Sequence, residues 1–302
     1  MRILITGGSG LLALNWAVVT RSEHEVVLGL HSRKISLSDV YSKVLNLGSV
    51  EELAVHFDSV NPDLVVHTAG MTNVETCETN KELACYTNIN LAVNVARVCR
   101  SQKRKLVHIS TDHLFSGDSP NADESAEIKP QNVYAFTKAE AEKKVCENCP
   151  DALIVRTNFF GWGTSYRKSF SDVILESLRA GKEIFLFKDV FYTPILIETL
   201  VNSVHELINS GYMGIINIVG SDRITKYQFG LMLADCFRLD SSLIKPGLLR
   251  EKTCLVKRPF DMSLSNKKLC RELGVPVHGV EYDLVRLREG ESSEGIREIR
   301  SL

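Results

Sequence analysis

Long apolar stretches are missing from this sequence. No run approaches the roughly 18 apolar residues that mark a transmembrane helix, so none is expected. An excess of charge of one sign is missing as well: 36 Lys and Arg against 37 Asp and Glu leave a net charge of −1, which would not draw the chain to nucleic acid or anionic lipid. A basic patch with interleaved aromatic residues and a strongly basic amphipathic helix are also lacking. Composition therefore gives no support to a nucleic-acid or membrane role.

A secretory signal and a metal-ligand framework are absent too. The opening MRILITGG has neither a basic region nor a cleavage site, so we expect a cytoplasmic protein. The eight cysteines are scattered, and free thiols are expected in that compartment. The segment CENC (146–149) has the spacing of a zinc or redox pair, but no second pair accompanies it and it closes a helical segment. We therefore predict no metal site and no redox pair.

What the chain does contain is an alternation of apolar strands and helical segments. Its 302 residues are 44% hydrophobic and 24% charged, which is ordinary for a globular protein. Short apolar runs predict strands in MRILIT, EVVLGL, PDLVVHTAG, KLVHIST and ALIVRTNFFG, with a weaker strand at 44–47 and a long helix at 80–101. Near-continuous apolar strands that alternate with helices indicate an α/β protein with a parallel sheet covered on both faces.

The turn after the first strand has a phosphate-binding pattern. In ILITGGSGLLA, Gly7 permits a tight turn, Gly10 lets the backbone approach a pyrophosphate, and Ala13 lets the helix pack closely on the strand. The free N–H groups at the start of the helix would then face the phosphates. A plain glycine turn is the weaker alternative. The predicted dinucleotide contacts in this turn are Gly7, Ser9, Gly10, Leu11 and Leu12.

The end of the second strand indicates which dinucleotide is bound. It reads His31, Ser32, Arg33, Lys34, without the carboxylate that binds the ribose hydroxyls of NAD. Arg33 can pair with a 2′-phosphate, and Ser32 can donate a hydrogen bond to it. We therefore predict NADP(H), with NAD(H) as the alternative cofactor. A basic surface loop is the alternative for the residues themselves.

A tyrosine and a lysine lie four residues apart in NVYAFTKAEAEKK (132–144), which has helix-favouring composition. Tyr134 and Lys138 therefore share one helix face. A nearby ammonium would lower the tyrosine pKa from about 10 and make Tyr134 usable for general acid–base catalysis. Taken alone, the same spacing also arises by chance on a solvated helix.

Further motifs follow at regular spacing from Met1 to about Gly274. They are the glycine loop, PDLVVHTAGMTNVETCE, NINLAVNVA, HISTDHLFSG, the tyrosine–lysine helix, VRTNFFG and KRPFDMSLSNKKL. In this order they resemble the extended short-chain dehydrogenase/reductase superfamily and, more narrowly, the dTDP-4-dehydrorhamnose reductase family of sugar-nucleotide reductases. The resemblance implies a Rossmann-type doubly wound parallel sheet with a smaller C-terminal substrate-binding domain.

The strand–helix alternation becomes less regular after residue 160, and this sets the predicted domain limits. Residues 1–160 would form the NADP-binding Rossmann domain, with elements returned to it from about 187–220. Residues 161–290 would form mainly the substrate-binding domain. The polar residues 291–302 are expected to be a loosely ordered tail.

The resemblance also implies site residues, position by position. The family's catalytic hydroxyl, tyrosine and lysine fall on Thr111, Tyr134 and Lys138, and Asn88 matches the asparagine that supports the lysine through water. Further cofactor positions are Thr68, Ala69 and Gly70 after the fourth strand, and Leu47 beside the adenine. The implied substrate-binding residues are Asp112, His113, Asn158, Phe159 and Arg258.

The substrate side departs from the family pattern. His113 replaces a tyrosine; it could hydrogen-bond a hydroxyl, titrate near neutral pH, or merely fill the space. Arg258 suits bidentate phosphate binding, with an ordinary surface arginine as the alternative. In KDVFYTPIL (188–196), a valine, a tyrosine and an isoleucine stand where the family has the glutamine, glycine and threonine that shape the sugar side of the pocket.

Together these features predict NADPH-dependent reduction of the keto group of a nucleotide-linked 4-keto-6-deoxysugar, in deoxysugar or cell-surface polysaccharide biosynthesis. Tyr134 would donate the proton and Thr111 would orient the oxygen. Family analogy favours a homodimer. One rival function is a non-catalytic NADP-binding regulatory subunit, which the altered pocket favours and the intact Thr111, Tyr134 and Lys138 disfavour. The other is a sugar-nucleotide epimerase or epimerase-reductase, for which no dedicated second acid–base pair is evident.

Overall fold

The computed structural model describes all 302 residues. The strands are β1 (Arg2–Thr6), β2 (Glu25–Leu30), β3 (Val40–Val44), β4 (Leu64–His67), β5 (Lys105–Ile109), β6 (Leu153–Arg156), β7 (Phe159–Phe160), β8 (Ile184–Phe187), β9 (Phe191–Tyr192), β10 (Ile195–Leu196), β11 (Gly214–Asn217), β12 (Ile224–Thr225) and β13 (Ile244–Gly247). The α-helices are α1 (Leu11–Thr20), α2 (Val50–Val60), α3 (Val74–Thr79), α4 (Lys81–Cys85), α5 (Leu91–Ser101), α6 (Val133–Asn148), α7 (Phe170–Arg179), α8 (Ile197–Ser210), α9 (Lys226–Cys236), α10 (Lys267–Leu273), α11 (Val280–Gly290) and α12 (Glu294–Ser301). None of the helices is both long and apolar enough to span a bilayer.

A seven-stranded sheet organises the molecule. Its strands lie in the order β11-β6-β5-β4-β1-β2-β3, and every neighbouring pair is parallel. Strand order reverses between β1 and β4, which is where doubly wound sheets open a ligand crevice beyond their carboxyl ends. The predicted Rossmann-type fold class is confirmed.

Helices cover both faces of the sheet, so both faces are apolar. On one face, residues of α1 and α8 pack with Ile3, Ile5 and Val107 in the largest buried cluster. On the other face, residues of α2, α5 and α6 pack with Leu4 and Val65. Alternate residues of one strand thus enter opposite layers, as the period-two geometry of a strand requires. A third buried cluster, built around Trp162 and Phe229, gathers residues of α7, β8, α9, β13 and α11.

Two predicted elements near the middle of the chain are wrong in detail. The third strand ends at Val44 and does not occupy 44–47; because β3 is the edge strand and largely exposed, it lacks the apolar run that marks a buried strand. The helix predicted over 80–101 is interrupted by one π-helical turn, Tyr86–Asn90, between α4 and α5. Such turns often mark functional positions.

The C-terminal tail is ordered, contrary to expectation. Ser293 caps α12, whose residue Ile299 is fully buried in the largest cluster. Arg21, directly after α1, forms a two-pronged ion pair with Glu298 at 2.8 and 2.9 Å. An apolar pair spaced three residues apart, Ile296 and Ile299, gives this mostly polar segment one face for packing, and the sequence prediction overlooked it. Helix α8 and strand β11 lie with the main sheet; the domain limits, and the range 187–220 returned to the first domain, stay a prediction.

Candidate active site

A cavity of about 370 Å³ opens at the carboxyl ends of the parallel strands. It extends from the start of α1 to the start of α7, past the ends of β4, β5 and β6. This is the crevice in which doubly wound sheets bind ligands. Predicted site residues that line it are Gly10, Leu11, Leu12, Thr68, Ala69, Gly70, Asn88, Thr111, Asp112, His113, Tyr134, Lys138, Asn158 and Phe159.

Backbone forms the wall beside α1. Gly7 has φ of +72°, and a Cβ there would lie 2.8 Å from the backbone N and Cα of Ala69. Helix α1 begins after Gly10 with no side-chain cap and no acidic residue in its first turn. Its first N–H groups are therefore left for a ligand, and the helix dipole favours an anion there.

The tyrosine–lysine pair lies at the start of α6, on the opposite wall. Asn132 caps the helix by accepting a hydrogen bond from the Ala135 N–H at 2.9 Å, which fixes where α6 begins. Tyr134 and Lys138 are 8% and 7% exposed. The Lys138 amine donates to the Ile109 carbonyl oxygen at the end of β5, at 2.7 Å. Sheet and helix together thus hold the ammonium in place.

The pKa of Tyr134 differs from the expectation. Burial raises the pKa of Tyr134 to about 12, although the nearby Thr111 hydroxyl lowers it. Burial also lowers the pKa of Lys138 to about 8. The predicted lowering of the tyrosine pKa is therefore wrong for the structure, because loss of solvation dominates. A neutral phenol is nevertheless the form that donates a proton.

Buried histidines lie beneath Lys138 in the sheet. His67 and His108, register partners on β4 and β5, stack with ring centroids 5.4 Å apart. The His67 Nδ1 and the Thr6 hydroxyl are hydrogen-bonded at 2.8 Å. Burial, with a smaller effect from the Lys138 charge, lowers the pKa of His67 to about 3 and that of His108 well below its usual value. Both rings are therefore neutral at physiological pH, so Lys138 carries the positive charge of this layer.

Asn88 lies in the π-helical turn and connects two walls of the cavity. Its side-chain oxygen accepts from the Met71 N–H at 2.7 Å, and its amide donates to the Met71 carbonyl at 3.0 Å and to the Thr137 hydroxyl at 2.9 Å. Thr137 precedes Lys138 in α6. Asn88 therefore fixes the segment after β4 against α6, and the structure shows no direct hydrogen bond from it to Lys138.

Asp112 forms the polar centre of the remaining wall. Its carboxylate accepts from the Thr111 hydroxyl at 3.2 Å and from the Asn158 amide. The His113 ring meets the Tyr134 ring edge to face, with centroids 5.5 Å apart, and its Nδ1 has no hydrogen-bond partner. Burial lowers the pKa of His113 although the Asp112 charge raises it, so a neutral imidazole faces the cavity.

Other predicted residues lie outside the cavity lining. Arg258 forms an ion pair with Glu75. Arg33 stacks on the ring of Tyr166. The three residues that depart from the family pattern in 188–196, Val190, Tyr192 and Ile195, are buried behind the wall, so their expected direct role in shaping the pocket is not seen. Predicted cofactor residues that also lie outside the lining are Gly7, Ser9, His31, Ser32 and Leu47.

The sequence prediction missed one whole segment of the cavity. Residues 167–169, in the loop that leads into α7, and Phe170, the first residue of α7, line it beside Phe159. The sequence did contain a signal for this segment. Arg167 and Lys168 are adjacent cations that directly precede a helix start, which is marked by the capping box of Ser169 and Asp172. Other lining residues that were not predicted are Met71, Thr72, Val74, Ile109, Ser110 and Thr157.

Comparison with known proteins agrees with this geometry. Residues 1–290 match the family model described as RmlD substrate binding domain. The chain is 27% identical over 291 residues to the probable low-salt glycan biosynthesis reductase Agl14 of Haloferax volcanii, covering 95% of this chain and 97% of that protein. It is 25% identical over 286 residues to methionine adenosyltransferase 2 subunit beta of Xenopus tropicalis, covering 89% and 81%.

A solved structure shares the fold. The dTDP-4-dehydrorhamnose reductase of Bacillus anthracis, in complex with NADP, superposes with a TM-score of 0.83 at 23% identity, covering 97% of this chain and 99% of that one. The family model covers nearly the whole chain, including every strand of the main sheet. The protein therefore belongs to the RmlD substrate binding domain family, in agreement with the resemblance of its motifs to the dTDP-4-dehydrorhamnose reductase family of the extended short-chain dehydrogenase/reductases.

Proposed function

We propose that this protein is an NADPH-dependent reductase of a nucleotide-linked 4-keto-6-deoxysugar. The observation that carries the proposal is the meeting of Thr111, Tyr134 and Lys138 in one cavity with the uncapped start of α1. The relation to a glycan biosynthesis reductase over almost the whole chain supports a reductase in a glycan pathway.

The glycine-lined wall fits a dinucleotide. A Cβ at Gly10 would lie 3.0 Å from the Gly7 carbonyl, and one at Gly70 would lie 3.0 Å from the Asn88 side-chain oxygen, so both glycines leave room that any side chain would fill. The α1 N-terminus would hold the pyrophosphate, and Arg33 would pair with a 2′-phosphate. The NADP bound to the Bacillus anthracis reductase of the same fold supports this choice of cofactor.

The chain's own residues would provide the proton and the orientation. When bound, the reduced nicotinamide supplies the hydride that the ketone carbon receives. Tyr134, neutral at physiological pH, donates its phenolic proton to the carbonyl oxygen. The Thr111 hydroxyl hydrogen-bonds the same oxygen and stabilises the charge that develops on it. Lys138, held by the Ile109 carbonyl, stabilises the phenolate that remains after transfer.

Polar groups of the second wall would bind the sugar. Asp112 and Asn158 present a carboxylate and an amide at the cavity, and His113 adds a neutral imidazole beside Tyr134. These groups suit sugar hydroxyls, which both donate and accept hydrogen bonds. Phe159 and Phe170 supply apolar surface for the face of a sugar ring or its methyl group.

The test is oxidation of NADPH in the presence of a panel of nucleotide-linked 4-keto-6-deoxysugars. We expect turnover with at least one sugar, and a loss of about 10²- to 10⁴-fold in kcat for Tyr134→Phe, because the general acid is removed. Tyr41→Phe is the matched control. It makes the same chemical change at a tyrosine that lies on the edge strand and is 64% exposed.

Full turnover in Tyr134→Phe would refute the assigned proton donor. Tight NADPH binding without turnover on any sugar would instead favour a regulatory subunit. The relation to methionine adenosyltransferase 2 subunit beta is the observation that favours this second candidate function. It predicts that the protein changes the activity of a partner enzyme and that Tyr134→Phe leaves this effect intact.

A further inference from the structure

One loop crosses the dinucleotide side of the cavity. It connects β7 to α7 and contains Tyr166 and Arg167. The Tyr166 hydroxyl donates to the Ser9 carbonyl oxygen in the glycine loop at 2.9 Å. Next to it, the Arg167 guanidinium donates to the Thr72 hydroxyl, after β4, at 3.0 Å. The loop is thus attached on both sides of the point where strand order reverses.

The ring of Tyr166 in this loop contacts Arg33. The Arg33 guanidinium carbon lies 3.8 Å from the centroid of the Tyr166 ring, within the range of a cation–π contact. Arg33 is exposed, and its side chain makes neither a hydrogen bond nor an ion pair in the fold. The stacking contact is therefore what restricts the guanidinium. A free arginine side chain loses conformational entropy when it binds a ligand, and a guanidinium that is already restricted loses less.

We propose that Tyr166 is a positioning residue that holds Arg33 for the 2′-phosphate of the dinucleotide and so selects NADP(H) over NAD(H). This inference rests on the proposed function, which gives Arg33 its ligand. Tyr166 is anchored on the glycine loop through Ser9, so the guanidinium is placed relative to the same backbone that would hold the pyrophosphate. Cofactor selection then depends on a residue 133 positions away from the arginine (166 − 33).

A merely structural role for Tyr166 makes a different prediction. If the loop only covers the cavity, then removing the ring weakens every dinucleotide alike. If the ring positions Arg33, then removing it weakens only ligands that carry the 2′-phosphate. The two roles are separated by a pair of ligands that share adenosine and the 5′-phosphates and differ in the 2′-phosphate.

The experiment measures binding of 2′,5′-ADP and 5′-ADP by calorimetry to the full chain. We expect the native protein to prefer 2′,5′-ADP. In Tyr166→Leu, binding of 2′,5′-ADP should weaken by about threefold to tenfold, the size of a cation–π contact, while 5′-ADP changes by less than about twofold. Tyr166→Phe keeps the stacking ring but loses the hydrogen bond to Ser9, so its preference should lie between those of the native protein and Tyr166→Leu. Tyr166→Met, a flexible apolar replacement, repeats the test if the leucine variant folds poorly.

The outcomes distinguish this inference from the proposed function. No preference for 2′,5′-ADP in the native protein would overturn the NADP assignment and the inference with it. A native preference that Arg33→Leu abolishes and Tyr166→Leu leaves intact would overturn the inference alone. Equal weakening of both ligands in Tyr166→Leu would assign the loop a structural role. In the double variant Arg33→Leu/Tyr166→Leu, positioning predicts no further loss beyond Arg33→Leu.

Discussion

The two walls of the cavity are built from different material. Beside α1 the wall is backbone: Gly7, with positive φ, lies against the backbone of Ala69, and helix N–H groups face the crevice. Beside α6 and β6 the wall is side chains: Asp112 accepts hydrogen bonds from Thr111 and Asn158, and the Tyr134 ring packs against His113. A backbone wall cannot change without moving strands, whereas a side-chain wall can change one residue at a time.

The difference separates two properties of a sugar-nucleotide reductase. In the proposed reductase, dinucleotide binding would be tied to the main chain of the sheet, and choice of sugar would be left to exchangeable side chains. This agrees with the sequence, in which the glycine loop keeps the family pattern while His113, in the side-chain wall, stands where the family has a tyrosine. Substitutions on each side should therefore affect different measured quantities.

The largest effect is expected on the backbone wall. Gly7→Ala should lower the free energy of unfolding by about 2–5 kcal/mol, because it combines a left-handed conformation with a Cβ 2.8 Å from backbone. Gly181→Ala is the matched control: φ is +65° there, but no atom lies within 4 Å, so about 1–2 kcal/mol is expected. Urea unfolding measures both. Equal losses would show that the close approach to Ala69 is unimportant.

A smaller effect, confined to the sugar, is expected on the side-chain wall. Asp112→Asn replaces an acceptor with an amide that faces the Asn158 amide, so kcat/KM for the keto-sugar should fall by about 10- to 100-fold. NADPH affinity should not change. Asp118→Asn, at an exposed position, is the control. A parallel loss of NADPH affinity in Asp112→Asn would break the separation of the two walls.

The smallest effect is a gain in stability. Burial lowers the folded-state pKa of Lys138 to about 8 from the usual 10.5. The unfolded chain then binds more protons between these values, so the charged lysine destabilises the fold below about pH 8, and this penalty fades as pH rises towards 10.5. Lys138→Met should therefore raise the free energy of unfolding at neutral pH by about 1–2 kcal/mol, after loss of the Ile109 hydrogen bond, while abolishing turnover.

Urea unfolding at neutral pH and again near pH 10.5 checks this prediction. The gain in Lys138→Met should shrink at the higher pH, because Lys138 is then neutral in the folded protein and about half neutral in the unfolded chain. Lys143→Met, the same change at an exposed position on the same helix, is the control. A gain that stays constant with pH would point to apolar packing of methionine and not to relief of a buried charge.

The fold was predictable where strands are buried. Strands β1, β2, β4, β5 and β6 are continuous apolar runs, and the sequence located all of them. The edge strand β3 was predicted a few residues too late in the chain and the helix α12 was missed, because the strand is largely exposed and the helix has only a narrow apolar face. The spacing of apolar residues in a sequence reveals buried elements, and these two elements have few buried residues.

The site was predictable where its residues directly follow strands. Thr68 to Gly70 and Thr111 to His113 come straight after β4 and β5, so motif and geometry coincide. The stacking of Arg33 on Tyr166 and the pairing of Arg258 with Glu75 join distant parts of the chain, which spacing does not reveal. The raised pKa of Tyr134 was missed for the same reason, since it depends on how deeply the phenol is buried.

The π-helical turn at Tyr86–Asn90 joins α4 to α5 in one continuous helical segment. Because of this turn, the buried side chains of α4 and α5 point in different directions around the helix axis. Before the turn, Ala84 packs with Tyr134 and Cys77; after it, Val95 packs against the sheet. Each residue advances a helix by about 100°, so the extra residue in the wide turn rotates everything upstream by that amount. Loss of a single residue here would leave a regular, well-formed helix, but Ala84 would turn away from the tyrosine and Asn88 away from Met71. The active site thus depends on a local irregularity in helix phase.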